Sequence, residues 1–552
     1  MTTEVKKGHP KGLYLLFATE MWERFNFYGM RAILSTFLIS ALAFKESESA
    51  VIYGGFLGLC YLTPMLGGFV SDRFLGNRNC IQLGGLTMGI GQLLLFVSAS
   101  MYATDLPLAQ TINWIALGVI ILGNGFFKPN ISSMVGQLYP KGDNRLDSAF
   151  TIFYMGINLG AFLGNFVCSI VGDVHDASGN RVVAALKWGF LAASIAMFLG
   201  VAVFLFLKNK YVNTPEGKPI GEKPLKAGHE DAIEQAKFSS ASVTLWGVIA
   251  VALVCVFKMV LGQNLIYSII YSSGIALAGL ILSDKALTKE ERQRIWVIYI
   301  IGFFVIFFWA CFEQAGSSLT FIADKQTDRH ILGWDMPPTL VQDANAIFIL
   351  IFGLPFSFLW LSLAKKNREP ISPVKQSIGL LLLSLGFLIM AFQVKGFGNN
   401  DKLAVGWLLL MYMMHTLGEL CLSPIGLSLV AKLAPVRFSS LLMGVFFLSN
   451  ASGYALSGTL GALLPPTGDK FEKATKAGID LQAILNNTSV ATADQLAKLE
   501  QLKISAKYPS FAGFTIHNLF EFFMVFVILP GAAAILLFLI TPRLKKMMHG
   551  IR

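Results

Sequence analysis

Charged residues are scarce in this chain of 552 residues. Asp, Glu, Lys and Arg make up only 14% of it, while 54% of the residues are hydrophobic and the mean hydropathy is +0.61. This composition excludes a soluble protein of this size. Repeated apolar runs of about 20 residues are typical of membrane helices. The sequence therefore predicts an all-α polytopic membrane protein.

Motifs for metal, nucleotide and disulfide chemistry are also lacking. The sequence has no P-loop, no dinucleotide fingerprint and no His/Cys cluster with metal-ligand spacing, so we expect neither a cofactor nor a metal. Nucleic acid is not an expected partner, because the basic residues behind the net charge of +11 lie mostly in loops. The cysteines all fall in apolar segments, and we interpret them as small core residues. They are Cys60, Cys80, Cys168, Cys255, Cys311 and Cys421.

Fourteen apolar segments are long enough to cross a membrane. They lie near 12–43, 50–71, 80–101, 111–136, 148–172, 184–207, 241–260, 262–283, 295–316, 340–364, 374–394, 403–431, 439–463 and 513–541. The first follows a basic N-terminus, like a signal peptide, but it continues past Arg31 without a cleavage site. We therefore interpret it as a retained helix.

The spacing of these segments predicts four parts. Residues 1–207 hold six helices, the polar stretch 208–240 is a cytoplasmic linker, 241–283 form a membrane hairpin, and 284–552 hold six more helices. Two six-helix halves are one known transporter architecture. A long loop at 464–512 interrupts the last part, and its stretch "TADQLAKLEQLKI" has the periodicity of an amphipathic helix.

Lys and Arg residues are concentrated in alternate turns. Turns such as "SDRFLGNR", "SDKALTKEERQR" and "AKKNREP" are basic, whereas "YATDLPLAQ" and "GDVHDASGN" are poor in basic residues. The positive-inside rule predicts a multi-pass protein of the cell (inner) membrane with both termini in the cytoplasm. The loop at 464–512 contains six Lys, but long loops count little in this rule.

The first segment contains the charged stretch "EMWERFNFYGMR". A charge at the centre of a membrane helix costs roughly 2.5–3.5 kcal/mol on insertion scales. At 100° per residue, Glu20, Arg24 and Arg31 lie within about 60° of one another, with Glu23 at the adjacent edge. This charged stripe has to face a protein interior or a water-filled cavity. A buried structural ion pair is the alternative interpretation.

Ionisable residues in other segments favour a transport role over a structural one. They are Lys128 in "GNGFFKPNISS", Glu313 in "FFWACFEQAGSS" and Glu419 in "HTLGELCLSP". Ionisable residues inside a membrane usually mark routes for substrates or ions. Buried acids beside buried bases suit a proton-coupled carrier.

At this point the sequence resembles the proton-coupled oligopeptide transporters, a branch of the major facilitator superfamily. "EMWERFNFYGMR" is similar to their E-x-x-E-R-F-x-Y-Y-G signature. The resemblance continues in family order through "GGFVSDRFLGNR", "FTIFYMGINLGAFLG", "FFWACFEQAGSSL" and "GELCLSPIGLSLVAKLAP". It implies the major facilitator fold: two six-helix bundles plus a two-helix hairpin between them, 14 transmembrane helices in all.

The resemblance also implies residue roles. Proton coupling and gating fall to Glu20, Glu23, Arg24, Arg31, Lys128, Glu313 and Glu419, with Arg31–Glu313 and Lys128–Glu419 as gating salt bridges. Substrate binding falls to Arg24, Tyr28, Tyr61, Lys128, Tyr154, Asn158, Trp309, Asn345, Glu419 and Phe446. The chain departs from the family pattern at Phe27, which replaces a signature Tyr, and at Phe446, which stands where many bacterial members have Trp.

The expected function is proton-coupled symport of di- and tripeptides by alternating access, in which protonation of buried Glu opens salt-bridge gates. The expected partners are therefore peptides, protons and the lipid bilayer. Three alternatives stay open: a carrier of another anion such as nitrate, a membrane-embedded enzyme, for which no catalytic constellation is visible, and a peptide sensor. The sequence does not indicate an oligomeric state.

Overall fold

The structure is a computed structural model that describes residues 8–139, 146–222, 238–331, 333–398, 401–435 and 438–551. Residues 223–237 of the predicted linker lie outside this part of the chain. The helices are α1 (Lys11–Ser40), α2 (Glu46–Val70), α3 (Asn77–Met101), α4 (Leu106–Gln137), α5 (Leu146–Gly172), α6 (Leu186–Tyr211), α7 (Ser240–Cys255), α8 (Leu265–Leu282), α9 (Lys289–Phe312), α10 (Ser318–Lys325), α11 (Asp343–Lys365), α12 (Ser372–Gln393), α13 (Val405–Leu433), α14 (Ser439–Gly461), α15 (Gly468–Lys476), α16 (Leu481–Leu485), α17 (Ala493–Gln501) and α18 (Leu519–Met547).

Strands are few and only two residues long. They are β1 (Thr327–Asp328), β2 (His330–Ile331), β3 (Trp334–Asp335), β4 (Leu403–Ala404), β5 (Ser510–Phe511) and β6 (Phe514–Thr515). β1 pairs with β4 in parallel, while β2–β3 and β5–β6 are antiparallel pairs. These short ladders join helix ends and leave the helices to form the core.

Within the described residues, thirteen helical spans are long and apolar enough to cross a membrane. The thirty-residue helix α1 is not among them, and it is the helix that carries the charged stripe. With α1 added, the spans match the fourteen apolar segments of the sequence. The predicted all-α polytopic membrane fold is confirmed.

The chain forms two compact units. Unit 1 comprises residues 1–37 and 62–230, and unit 2 comprises residues 38–61 and 231–552. Helices α1 and α2 each contribute to both units, because the division falls within them. The domain boundaries drawn from the sequence stay predictions.

In unit 1, glycines bring helices into backbone contact. A Cβ atom added at Gly84 of α3 would lie 2.6 Å from the carbonyl oxygen of Gly123 of α4, and one at Gly123 would lie 2.7 Å from that of Gly84. A Cβ at Gly67 would meet the carbonyl oxygen of Gly125 at 1.9 Å. Small residues at such crossings are how membrane helices pack without a hydrophobic driving force between them.

In unit 2, the hairpin of α7 and α8 packs around one aromatic ring. The Trp246 ring of α7 lies where a Cβ at Gly279 of α8 would be, with the nearest ring atom 2.0 Å away. Helix α7 itself has no buried residue. The prediction that all six cysteines are core residues is therefore wrong for Cys255, which lies on α7 and is exposed, whereas the other five are buried.

The segment between α14 and α18 folds as a small unit, which we call the loop domain (residues 466–509). Its apolar core comprises Ala474, Ile479, Leu481, Ile484, Leu485, Leu499 and Ile504. The amphipathic helix predicted in "TADQLAKLEQLKI" is confirmed as α17. It begins with a capping box, in which the Thr492 side chain accepts from the backbone of Gln495 and the Gln495 side chain accepts from that of Thr492.

Candidate transport site

The charged stripe of α1 forms a buried triad in unit 1. The Arg24 Nε lies 2.7 Å from Glu20 Oε1 and 2.8 Å from Glu23 Oε2. Its N–H group donates a hydrogen bond to Glu20, and from the part of the chain that the structure describes no hydrogen bond of suitable geometry reaches either oxygen of Glu23. The three residues are at most 4% exposed. Two buried carboxylates therefore compete for one donor group of a single guanidinium.

A stripe of glycines on α5 sets the position of this triad. Added Cβ atoms would lie 2.8 Å from the Phe17 ring at Gly156 and 2.2 Å from the Met21 carbonyl oxygen at Gly160. The one at Gly160 would also lie 2.9 Å from the Cβ of Arg24. These contacts bring the glycine-bearing face of α5 against α1, beside Arg24.

The other predicted residues of unit 1 surround the triad to different degrees. Lys128 of α4 interacts electrostatically with Glu23, so Glu23 has a second cation within range. About two turns after Arg24, the Arg31 guanidinium carbon lies 5.1 Å from the centroid of the Tyr28 ring, a cation–π contact. Phe27, the departure from the family signature, is buried and packs edge-on against Tyr28.

On α5, the Asn158 side chain donates a hydrogen bond of 2.9 Å to the carbonyl oxygen of Tyr154. Tyr154 itself is half exposed. An asparagine that bonds back to its own helix keeps its side-chain oxygen available to a second group. The binding roles of Asn158 and Tyr154 stay predictions.

In unit 2, Glu419 of α13 is held by an amide. The Asn345 Nδ2 donates to Glu419 Oε2 at 3.1 Å and to Thr416 Oγ1 at 2.9 Å. Thr416 in turn donates to the carbonyl oxygen of Tyr412. Asn345 and Glu419 are both half-buried. This arrangement fixes the direction of a carboxylate that remains within reach of water.

Aromatic residues of unit 2 form a chain of edge-on contacts. The Tyr454 ring lies 4.6 Å from that of Tyr61 and 5.6 Å from that of Trp309, between centroids. Sequence reasoning identified Tyr61 and Trp309 and missed Tyr454, which joins them. The signal was present, because Tyr454 interrupts the small-residue run "SNASGYALSGTLG" of α14. A Cβ at Gly453 would lie 2.8 Å from the Cβ of Trp309, so this run brings α14 against α9.

Glu313 and Phe446 lie deeper in unit 2. Glu313 is 1% exposed and begins a short 3-10 turn, Glu313–Gly316, that breaks the helix between α9 and α10. The Phe446 ring is buried against α13, because a Cβ at Gly426 would lie 2.7 Å from its Cζ. The larger indole of Trp would need more room there. Among the described residues, no group of three or more His, Cys, Asp and Glu is placed to hold a metal.

The structure thus gathers the predicted residues into two sets. One set lies in unit 1 and comprises Glu20, Glu23, Arg24, Tyr28, Arg31, Lys128, Tyr154 and Asn158. The other lies in unit 2 and comprises Tyr61, Trp309, Glu313, Asn345, Glu419 and Phe446. The gating pairs Arg31–Glu313 and Lys128–Glu419 each take one residue from each unit, and they stay predictions.

Known proteins resemble this chain over most of its length. The sequence model of the POT family (PTR2) matches residues 78–475. The transporter YclF of Bacillus subtilis (strain 168), which is described as uncharacterized, is 34% identical over 83% of this chain and 88% of its own length. The peptide transporter YePEPT of Yersinia enterocolitica is 31% identical over 82% of this chain and 88% of its own.

Solved structures agree with the sequence matches. A crystal structure of a POT peptide transporter in complex with sulfate is 29% identical, with a TM-score of 0.73 over 99% of this chain and 97% of that chain. A POT family transporter in complex with 5-aminolevulinic acid is 27% identical, with a TM-score of 0.73 and 98% coverage of both chains. The match over most of the sequence, together with the major facilitator fold, shows that this chain belongs to the POT family of transporters.

Proposed function

We propose that this protein is a proton-coupled symporter that imports di- and tripeptides by alternating access. It is a carrier that releases its substrate unchanged, not an enzyme. The observation that carries the proposal is the buried triad of α1, in which Glu20 and Glu23 share the guanidinium of Arg24. Its relatives include proteins described as peptide transporters.

The triad supplies a reason for proton coupling. Two carboxylates and one guanidinium carry a net negative charge, and an uncompensated charge inside a membrane is costly. Either a proton or a nearby cation such as Lys128 removes that charge. Glu23 is the better proton carrier of the two acids, since Glu20 already accepts the hydrogen bond from Arg24. Protonation then changes which cation pairs with which acid, and so shifts the conformational equilibrium.

Peptide recognition follows from the two sets of charges. A peptide has a carboxylate at one end and an ammonium group at the other. Arg24 and Lys128 suit the carboxylate, and Glu419, directed by Asn345, suits the ammonium. The aromatic contacts around Tyr454 offer an apolar wall that accepts different side chains. Recognition of the two peptide termini by charge explains how one site can bind many peptides.

The proposed orientation places both termini in the cytoplasm of a bacterial cell and the loop domain on the outer side of the inner membrane. The distribution of Lys and Arg supports it. The basic last turn of α18, with Lys545 and Lys546, then lies at the cytoplasmic surface. The bacterial relatives support a cell-membrane location.

Transport of another anion such as nitrate is the second candidate, and the cations Arg24, Arg31 and Lys128 favour it. One observation favours the peptide instead. The Asn345 amide orients the Glu419 carboxylate, and a purely anionic substrate has no positive group for that carboxylate to bind.

The test is uptake of labelled di- and tripeptides into proteoliposomes under an imposed inward proton gradient. We expect accumulation that a protonophore abolishes. Accumulation that is equal without the gradient would refute proton coupling. Unlabelled nitrate serves as the competitor: if it blocks dipeptide uptake as well as an unlabelled dipeptide does, the anion carrier is the better assignment. A membrane sensor would bind peptide and show no uptake.

A further inference from the structure

The loop domain is the part of the chain that the transport site does not use. Its helices α15 and α17 each send one charged side chain to the turn between α1 and α2. The Lys45 Nζ lies 2.7 Å from Glu500 Oε2 of α17, and Lys470 of α15 forms an ion pair with Glu46 at the start of α2. All four residues belong to unit 2.

The two ion pairs have opposite polarity. The turn presents the cation Lys45 and then the anion Glu46. The loop domain faces Lys45 with the anion Glu500 and faces Glu46 with the cation Lys470. A slip of one residue would bring like charges together, so the pairs fix the register of the contact. The Glu46–Lys470 pair is well shielded, with side chains 16% and 15% exposed. The hydrogen bond from the Lys45 ammonium lowers the pKa of Glu500, which agrees with a paired carboxylate.

The loop domain does not pack tightly on the helix ends beneath it. A cavity of about 590 Å³ separates it from the ends of α10, α12 and α18. Its lining includes Phe471 and Tyr508 of the loop domain and Gln326, Phe397 and Leu519 of the helical part. The ion pairs to the turn are therefore well-defined attachments of the loop domain beside this cavity.

The same end of α2 packs closely on α8 and α14. The Tyr267 hydroxyl donates to the carbonyl oxygen of Val51 at 2.9 Å, and a Cβ at Gly54 would lie 2.6 Å from the carbonyl oxygen of Tyr454. A Cβ at Gly461 would lie 3.1 Å from the Cβ of Ala50. Helices α1 and α2 continue from here into unit 1. In the alternating access of the proposed function, opening to the outside would separate the turn from these contacts.

We propose that the loop domain is a latch that favours the conformation closed to the outside, through the Lys45–Glu500 and Glu46–Lys470 ion pairs. The inference rests on the alternating access of the proposed function. Ion pairs of this exposure shift an equilibrium by about two- to fivefold each. A latch of that strength biases the outer opening without preventing it.

Thiol labelling from the outside tests the latch. Ser317 is fully buried beside this packing, since a Cβ at Gly461 would lie 3.2 Å from its Oγ. A Ser317→Cys variant, in a Cys255→Ser background, reports opening through its reaction with a membrane-impermeant maleimide. Lys470→Glu and Lys45→Glu should each raise the labelling rate about two- to tenfold, because each replaces attraction with repulsion.

Two further variants show whether loss of the ion pair is what raises the labelling rate. Lys476→Glu makes the same charge change on α15, but Lys476 pairs along its own helix, with Glu472 at 2.5 Å, and the labelling rate should match the parent. The charge swap Glu46→Lys with Lys470→Glu should restore the parent rate. Equal effects of Lys470→Glu and Lys476→Glu, or a swap that does not restore the rate, would overturn the latch. Labelling needs neither peptide nor proton gradient, so a failure of the uptake assay alone would count against the proposed function and not against the latch.

Discussion

Replacing Asn345 with Ala tests how unit 2 recognises a peptide. The substitution removes the amide that donates to Glu419 at 3.1 Å. A hydrogen bond to a charged group contributes about 1.5–3 kcal/mol, and the half-buried position of this one favours the lower end, because water can replace the amide. We expect a loss of about 1.5 kcal/mol, or roughly tenfold weaker binding of a free dipeptide.

The assay is a double-mutant cycle on purified protein, with Glu419→Gln as the second substitution. Asn345 acts by directing the carboxylate, so it should matter little once Glu419 has lost its charge. The double variant should therefore bind about as weakly as Glu419→Gln alone, with a coupling free energy near 1.5 kcal/mol. A dipeptide with an acetylated N-terminus is the control ligand, and its affinity should change little in all three variants.

Additive losses, within about 0.5 kcal/mol, would refute the reasoning. They would mean that Asn345 contacts the peptide independently of Glu419. Equal losses for the free and the acetylated dipeptide in Glu419→Gln would show that Glu419 does not recognise the amino group, and would leave it a gating role alone.

Three further predictions follow from the helical part and the loop domain. Glu23→Gln should abolish gradient-driven accumulation while peptide exchange without a gradient survives, because glutamine cannot carry the proton; accumulation at the parent level would make Glu23 structural. Gly160→Ala should lower the melting temperature by about one to three degrees, since overpacking costs about 1–3 kcal/mol, whereas Gly118→Ala, with open space around its Cβ, should not; equal melting would refute the close packing of α1 on α5. Because pairing with Lys45 lowers the pKa of Glu500, this pair is retained above the ordinary glutamate pKa and is lost as the pH falls through the lowered value. Spin-label distances between the turn and the loop domain should then stay constant down to about pH 5, and a change near neutral pH would contradict this assignment.

Much of the fold was predictable because a membrane leaves few options. Backbone groups without access to water have to pair within helices, so long apolar runs predict helices directly. Helix α1 was predictable despite its charges, because they lie on one side of it. Cys255 was not, since an apolar residue in a membrane helix can face lipid as well as protein, and hydropathy is the same in both cases.

The candidate site was predictable in its charged residues and less so in its neutral ones. Glu20, Glu23 and Arg24 stand out because charge in a membrane helix needs an explanation. Tyr454 is marked by the small residues around it, but neither Tyr454 nor Thr416 carries a charge, and tyrosine and threonine are common in membrane helices that have no binding role. Their part in the site follows from which helices meet, and the spacing along α13 and α14 does not contain that information.

The loop domain also has a consequence for the order in which the protein is assembled. Its core residues all lie between Ala474 and Ile504, so they come together over short stretches of chain, and such local contacts form quickly. The whole domain is synthesised before α18 begins at Leu519. In the proposed orientation, it can fold on the outer side of the membrane while α18 is still being made. The last helix would then enter the membrane from a chain that is already held in place on the far side, which favours a single insertion direction for α18.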